Sequence, residues 1–192
     1  MLTVIKLGGS FYHSSQLTDC LQTIIQFSEN HPVVLVAGGG PFADLVRQAQ
    51  LVHPFSDKTA HQMAINGMRQ FALLLLDLLP DALIFEPLNM PLPNTGLAVW
   101  LPDDRQMMTA DLPQNWQVSA DSLALWLAQQ LHADELILIK SGAFDTPQIK
   151  ALADIGVLDA HFAKQYQQQP LPCSIVQRTD VAGWLSRRML LT

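Results

Sequence analysis

Charge is scarce in this chain: charged residues make up 15% of 192, with 11 Lys plus Arg against 17 Asp plus Glu and a formal net charge of −6. A nucleic-acid or anionic-membrane partner needs a positive face, and this balance does not provide one. A local basic site for a phosphorylated small molecule is still compatible with it. Cysteine is scarcer: Cys20 and Cys173 stand far apart, with no Cys-x-x-Cys or Cys/His ligand spacing. Two free, buried thiols are therefore expected rather than a disulfide or a metal site. Long hydrophobic runs are absent too. The longest, Phe71 to Leu79, is cut by Asp77 and stopped by Pro80, well short of the roughly 20 residues that cross a bilayer. Met1 leads straight into Leu2, Val4 and Ile5 without a basic segment or an apolar signal core, so a cytoplasmic location is the expectation.

Hydrophobic residues, by contrast, make up 49% of the chain. That excludes disorder and predicts a large core, in one domain spanning residues 1–192. Short apolar, β-branched runs alternate with segments of helical period, the pattern of an α/β protein with a mostly parallel central sheet covered on both sides, a three-layer α/β/α sandwich. Strands are expected at Leu2 to Leu7, Val33 to Ala37, Ala82 to Phe85, Leu97 to Leu101, Leu136 to Ile139 and Ser174 to Val176. Helices are expected from Leu17 to Phe27, from Pro41 through Ala49, from a Ser56 cap to about Leu79, from a Ser119 cap to Leu131, over Pro147 to Leu152 and over Val181 to Leu190. A proline-rich loop, Pro87 to Pro93, separates the third and fourth strands. No internal repeat of fixed period is visible.

Three strands end in loops of small residues: Gly8-Gly9-Ser10, Gly38-Gly39-Gly40 and Lys140-Ser141-Gly142. In a parallel sheet, ligands collect outside the carboxyl ends of the strands, where loop N–H groups and helix N-termini point. Glycine lets such a backbone approach an oxyanion without a Cβ in the way, although a strand-to-helix turn also uses glycine merely to turn. Lys6, inside Val-Ile-Lys-Leu, must be paired, face a ligand, or lie on an edge strand that reaches solvent. Lys140 repeats the arrangement at the end of Leu136 to Ile139, so the two lysines can converge. Neither loop has the Gly-Lys-Ser/Thr that closes a Walker motif. Asp121 follows Ser119 at a helix start, which suits either a partner for the lysines or an acidic first turn. Asp57 and His61 on the Ser56 helix, and Asp159 and His161 after Gly156, read either as ordinary polar positions, the commoner case for an isolated histidine, or as ligand-facing.

With these motifs in order along nearly the whole chain, it resembles the amino acid kinase superfamily, which includes acetylglutamate, aspartate, uridylate and isopentenyl phosphate kinases. The resemblance rests on VIKLGGS (4–10), VVLVAGGGPFAD (33–44) and VSADSLALWLAQQLHADELILIKSG (118–142). Together with the last block, AHQMAINGM (60–68) and GVLDAHF (156–162) look most like the small kinases associated with methanofuran biosynthesis in archaea and one-carbon-metabolising bacteria. The resemblance implies an amino acid kinase-like fold and transfer of the γ-phosphoryl group of ATP, with Mg²⁺, to a phosphate or carboxylate acceptor such as a furan phosphate. Lys6, Asp121 and Lys140 would be catalytic, with Asp121 holding the lysines. Gly8, Gly9, Ser10, Ser141 and Gly142 would bind the nucleotide phosphates, and Gly38, Gly39, Gly40 and His61 the acceptor. A homodimer through residues 42–51 and 61–76 is expected by the same resemblance.

The chain also departs from the family. Related kinases carry an Asp-Gly pair after the strand at 136–140, where this sequence reads Lys140-Ser141-Gly142-Ala143-Phe144-Asp145. It lacks a second Gly-Gly segment, and its only lysines beyond Gly142 are Lys150 and Lys164. Two other readings follow: a non-catalytic binding or regulatory member of the same fold, and an unrelated α/β protein with glycine turns.

Overall fold

The structure, a computed structural model, describes residues 1–86, 88, 90–146 and 148–189, with the side chain of Asp104 excepted. The expected helix start at Pro147, the helix end at Leu190 and the loop residue Pro87 lie outside the described residues. Six strands form one sheet: β1 (Thr3–Leu7), β2 (Pro32–Ala37), β3 (Leu83–Phe85), β4 (Gly96–Trp100), β5 (Glu135–Lys140) and β6 (Cys173–Gln177). Their order is β3-β4-β2-β1-β5-β6, and every pairing is parallel. The helices are α1 (Leu17–Ser28), α2 (Gly40–Val52), α3 (Asp57–Leu78), α4 (Asp104–Thr109), α5 (Ala120–Gln130), α6 (Ile149–Asp154), α7 (Phe162–Gln168) and α8 (Val181–Met189).

The side-chain period of two sorts the strands' residues between two cores. Val4, Val34, Val36, Trp100, Leu136 and Leu138 face one, with Leu123, Leu127 and Phe162 of α5 and α7. Ile5, Leu7, Leu35, Val99, Ile137 and Ile139 face the other, with α1 and α8. β1 is central and wholly buried, which explains its near-continuous apolar character. Lys6, paired in register with Val36 on one side and Leu138 on the other, is therefore no edge residue. It points to the α5 face of the sheet, as Lys140 does.

Most boundaries fall within a residue or two of those expected. Ser56 caps α3 by accepting from the Thr59 N–H at 3.2 Å, and Ser119 caps α5 by accepting from the Asp121 N–H at 3.3 Å. Two short helices were not expected: α4, capped by Asp103, and α7, in the Gln-rich stretch. Both are too short for helical periodicity to register. Cys20 and Cys173 are free, and burial pushes each thiol up to about 12. Among the described residues no helix is long and apolar enough to cross a membrane.

Candidate active site

The carboxyl edge of the sheet brings the β1 and β2 loops into direct contact. A Cβ on Gly9 would lie 2.3 Å from the Gly40 nitrogen, and one on Gly38 would lie 2.4 Å from the Gly9 nitrogen. Gly40 sits at φ 53° at the start of α2, a left-handed conformation that glycine adopts without penalty. The glycines thus do more than turn the chain. They let two loops pack backbone to backbone, with Pro41 in the first turn of α2 and that helix's amino terminus aimed at the cleft.

Beside this floor lies a charge cluster assembled from three elements. Asp121, in the first turn of α5 and 2% exposed, has Oδ1 2.9 Å from Lys6 Nζ and Oδ2 2.5 Å from Lys140 Nζ. Burial opposes the Asp121 charge, yet the ion pairs with Lys6 and Lys140 prevail and hold its carboxyl below the ordinary range. Lys140 is pulled below the usual lysine value, first by burial and then by Lys6, while Asp121 and Asp159 oppose the shift. The two ammonium groups share the one carboxylate they touch, so the positive ends are only half neutralised in direct contact, an arrangement that suits a polyanionic ligand.

A cavity of about 440 Å³ opens next to Lys6. The glycines at 9 and 38–40 line one end, and Ile65, Met68, Val118 and Leu123 give it an apolar wall. His61 lines it too, buried on α3 and hydrogen-bonded to the backbone of Asn115, with burial lowering its pKa so that the ring is neutral at pH 7. Sequence reading missed two residues here. Trp116 closes the cavity, its indole N–H donating to Gln50 Oε1 at 2.6 Å, and the Arg47 guanidinium lies 4.4 Å from its ring centroid. Arg47 and Trp116 are 69 positions apart in sequence, and nothing local couples them.

On the far side of β1 the arrangement is more open. Ser141 and Gly142 are exposed, the latter with open space about it, and Ser10, which lines the cavity beside Gly9, is exposed as well. The loop they begin is tied down by Gln177 Nε2 donating to the Phe144 carbonyl at 2.9 Å. Arg178, directly after β6, places its guanidinium 5.7 Å from the centroid of Phe11, in the turn that follows Gly9, and its buried Nε has no hydrogen-bond partner. No ion pair engages Arg178 among the described residues, and sequence reading, searching for lysines, passed over it.

Comparison with known proteins agrees with this geometry. The model of the amino acid kinase family matches residues 1–86. A curated protein, the [5-(aminomethyl)furan-3-yl]methyl phosphate kinase of Methanocaldococcus jannaschii, is 26% identical over 140 residues, 70% of this chain and 63% of that protein. The matched stretch therefore spans less than two thirds of that relative's length. Among solved structures, uridylate kinase from Archaeoglobus fulgidus superposes with a TM-score of 0.68 at 18% identity, covering 97% of this chain and 96% of that one. UMP kinase from Bacillus anthracis gives 0.69 at 15% identity, covering 100% and 92%. Aspartate kinase from Synechocystis gives 0.63 at 14%, covering 93% of this chain and 38% of that one. At these identities the structures establish the fold, that of the uridylate and aspartate kinases, while the sequence similarity to the amino acid kinase family lies in the β1–β3 part of the chain, residues 1–86.

Proposed function

We propose that the protein is an ATP-dependent kinase that transfers the γ-phosphoryl group to the phosphate of a small, largely apolar acceptor. The observation that carries this reading is Asp121 held between Lys6 and Lys140 beside two interlocked glycine loops. Phosphoryl transfer needs alignment and charge stabilisation more than covalent chemistry from the protein. Lys6 and Lys140 supply cations to the transferring group, and the Gly9 backbone N–H supplies a donor to the phosphates; the Gly8 N–H, expected to do the same, is spent on the Ile139 carbonyl at 3.1 Å. Ser10, Ser141 and Gly142 border the nucleotide, with Arg178 flanking its phosphates from the opposite side of β1. The acceptor's phosphate occupies the amino terminus of α2 at Gly38 to Gly40, and its body lies against Ile65, Met68, Trp116 and His61.

The reaction is balanced without a general base. An oxygen of the acceptor phosphate, already ionised near neutral pH, attacks the γ-phosphorus; the bond to the β-phosphate oxygen breaks, and ADP leaves. That matches Asp121, whose carboxylate is engaged by two lysines and has no freedom to accept a substrate proton. For the same reason Mg²⁺ belongs with the nucleotide's own oxygens, where it neutralises developing charge. Among the described residues no group of three or more His, Cys, Asp or Glu could hold a metal ion.

The cavity's size and apolar wall favour an acceptor with a small ring, in keeping with a furan phosphate of the kind the curated relative's name specifies. The test is ADP release, followed by ³¹P NMR for a new diphosphate, with MgATP and [5-(aminomethyl)furan-3-yl]methyl phosphate, UMP and a prenyl phosphate in parallel. Turnover of the furan phosphate above the others supports the reading. A saturable MgATP thermal shift with no ADP release from any acceptor assigns the chain to the non-catalytic binding class instead. A homodimer belongs to the same proposal: Leu45, Leu51, Val52 and Leu73 on α2 and α3 are exposed, and sedimentation at micromolar concentration checks it.

A further inference from the structure

Asp159 lies on the loop between α6 and α7, outside the cavity, yet its carboxylate accepts six hydrogen bonds. Oδ2 accepts from Ser119 N at 2.9 Å, Ser119 Oγ at 2.8 Å and Ser122 N at 3.0 Å. Oδ1 accepts from Ser122 Oγ at 2.5 Å, His161 N at 3.1 Å and Phe162 N at 2.9 Å. One side chain thus caps α5 and α7 together. A carboxylate so fully used is not free to meet a substrate. Its reach into the site runs through one hydroxyl: Ser119 Oγ donates to Asp159 and accepts from the Asp121 N–H at 3.3 Å.

Resting on the kinase reading above, we propose that Asp159 is a positioning residue for phosphoryl transfer, fixing the first turn of α5 so that the Asp121 carboxylate divides between Lys6 and Lys140. Charge points the same way. The groups that face Lys140 are Lys6 from β1, Asp121 from α5 and Asp159 from the α7 loop. Two carboxylates and two ammonium groups make a neutral set. Removing the Asp159 charge leaves Lys6 and Lys140 with Asp121 alone, and Lys140 then gives up its proton at lower pH.

Asp159→Asn separates this role from simple capping. An amide keeps the shape but turns one acceptor oxygen into a donor that meets N–H and O–H groups. Turnover is expected to fall on the order of ten- to hundredfold, with KM for ATP and acceptor within about twofold of wild type. The alkaline limb of the pH–rate profile shifts toward lower pH. A second readout needs no activity: in ¹³C-lysine NMR, the Lys140 Cε resonance, assigned with Lys140→Arg, titrates at lower pH in Asp159→Asn, while Lys150 and Lys164 do not move. A lower Tm with unchanged Lys140 titration and an unchanged pH profile would overturn the proposal. If wild type transfers no phosphoryl group to any acceptor, the kinase reading fails, and the NMR titration still decides what Asp159 does to Lys140. Should Asp159→Asn not fold, Ser119→Ala, which removes only the connecting hydroxyl, is expected to move both readouts in the same direction by less; no movement counts against the proposal.

Discussion

The two sides of the site are made of different things. On the glycine-loop side, in residues 1–86, the working surface is backbone: Gly9 and Gly38 to Gly40 touch because no Cβ stands between them. On the α5–β5 side it is charge: Asp121, Lys140 and Asp159 hold one another through ion pairs and capping hydrogen bonds. A backbone surface fails when atoms are added, whereas a charge cluster fails when a charge is taken away. Lys6 belongs to the first side by sequence and to the second by contact, so substitutions there test the join.

The largest effect is expected at Asp121. Asp121→Asn removes the carboxylate both ammonium groups pair with and leaves only the more distant Asp159 to offset them, a loss of a buried partner that typically costs about 3–5 kcal/mol, read as a lower urea midpoint at pH 7. The folded Asp121 carboxyl titrates below its ordinary value, so its contribution is fully present above the ordinary carboxylate range and disappears as pH falls through the lower folded value. Stability curves of wild type and variant therefore converge only in strong acid. Convergence already at pH 5 would show that the carboxylate is not clamped as the structure has it. Lys6→Ala comes next. On the proposed mechanism it removes a cation needed chiefly in the transition state, worth about 2–4 kcal/mol, or roughly 10² to 10³ in turnover. Unchanged turnover would make Lys6 a structural partner of Asp121 and nothing more.

The opposite kind of damage belongs to the glycine loops. Gly38→Ala forces a Cβ onto the Gly9 backbone, and overpacking of this sort costs about 1–3 kcal/mol. The loss is expected in Tm and in KM for the acceptor. Gly142→Ala adds the same methyl group where nothing lies within 4 Å and is expected to leave the unfolding free energy within about 0.5 kcal/mol of wild type. Equal losses in the two variants would remove the distinction between the two sides.

What could be read from the sequence follows the same division. The glycine loops, the strand lysines and the Ser56 and Ser119 caps are local signals, and each sits where its own neighbours in sequence imply. Lys6 was legible because a charge inside a buried strand has to be accounted for. Asp159 was ambiguous, since its partners Ser119 and Ser122 lie some 40 positions away and only the packing of α7 on α5 brings them together. Arg47, Trp116 and Arg178 went unread for the same reason: a guanidinium over an aromatic ring joins distant segments and leaves no periodicity. The expected shortage of cations beyond Gly142 was framed in lysines, so the arginine after β6, over Phe11, was not weighed.

Arg178 accordingly carries the smallest and most diagnostic prediction. Lys140 pairs in register with Gln177, so Arg178 lies one residue past the level of Lys140, and alternation turns it to the opposite face, where Phe11 receives it. A triphosphate laid along Gly8 and Gly9 would then have Lys6 and Lys140 on one side and Arg178 on the other. Arg178→Met keeps much of the apolar stem over Phe11 while deleting the charge. The expected result is about a tenfold rise in KM for MgATP, roughly 1.4 kcal/mol, with KM for the acceptor and turnover at saturating ATP unchanged. Loss of stability without a change in KM for MgATP would confine Arg178 to its contact with Phe11. The open side of the site would then offer a ligand backbone alone, like the glycine-loop side, and the contrast between the two sides would narrow to the Asp121 cluster.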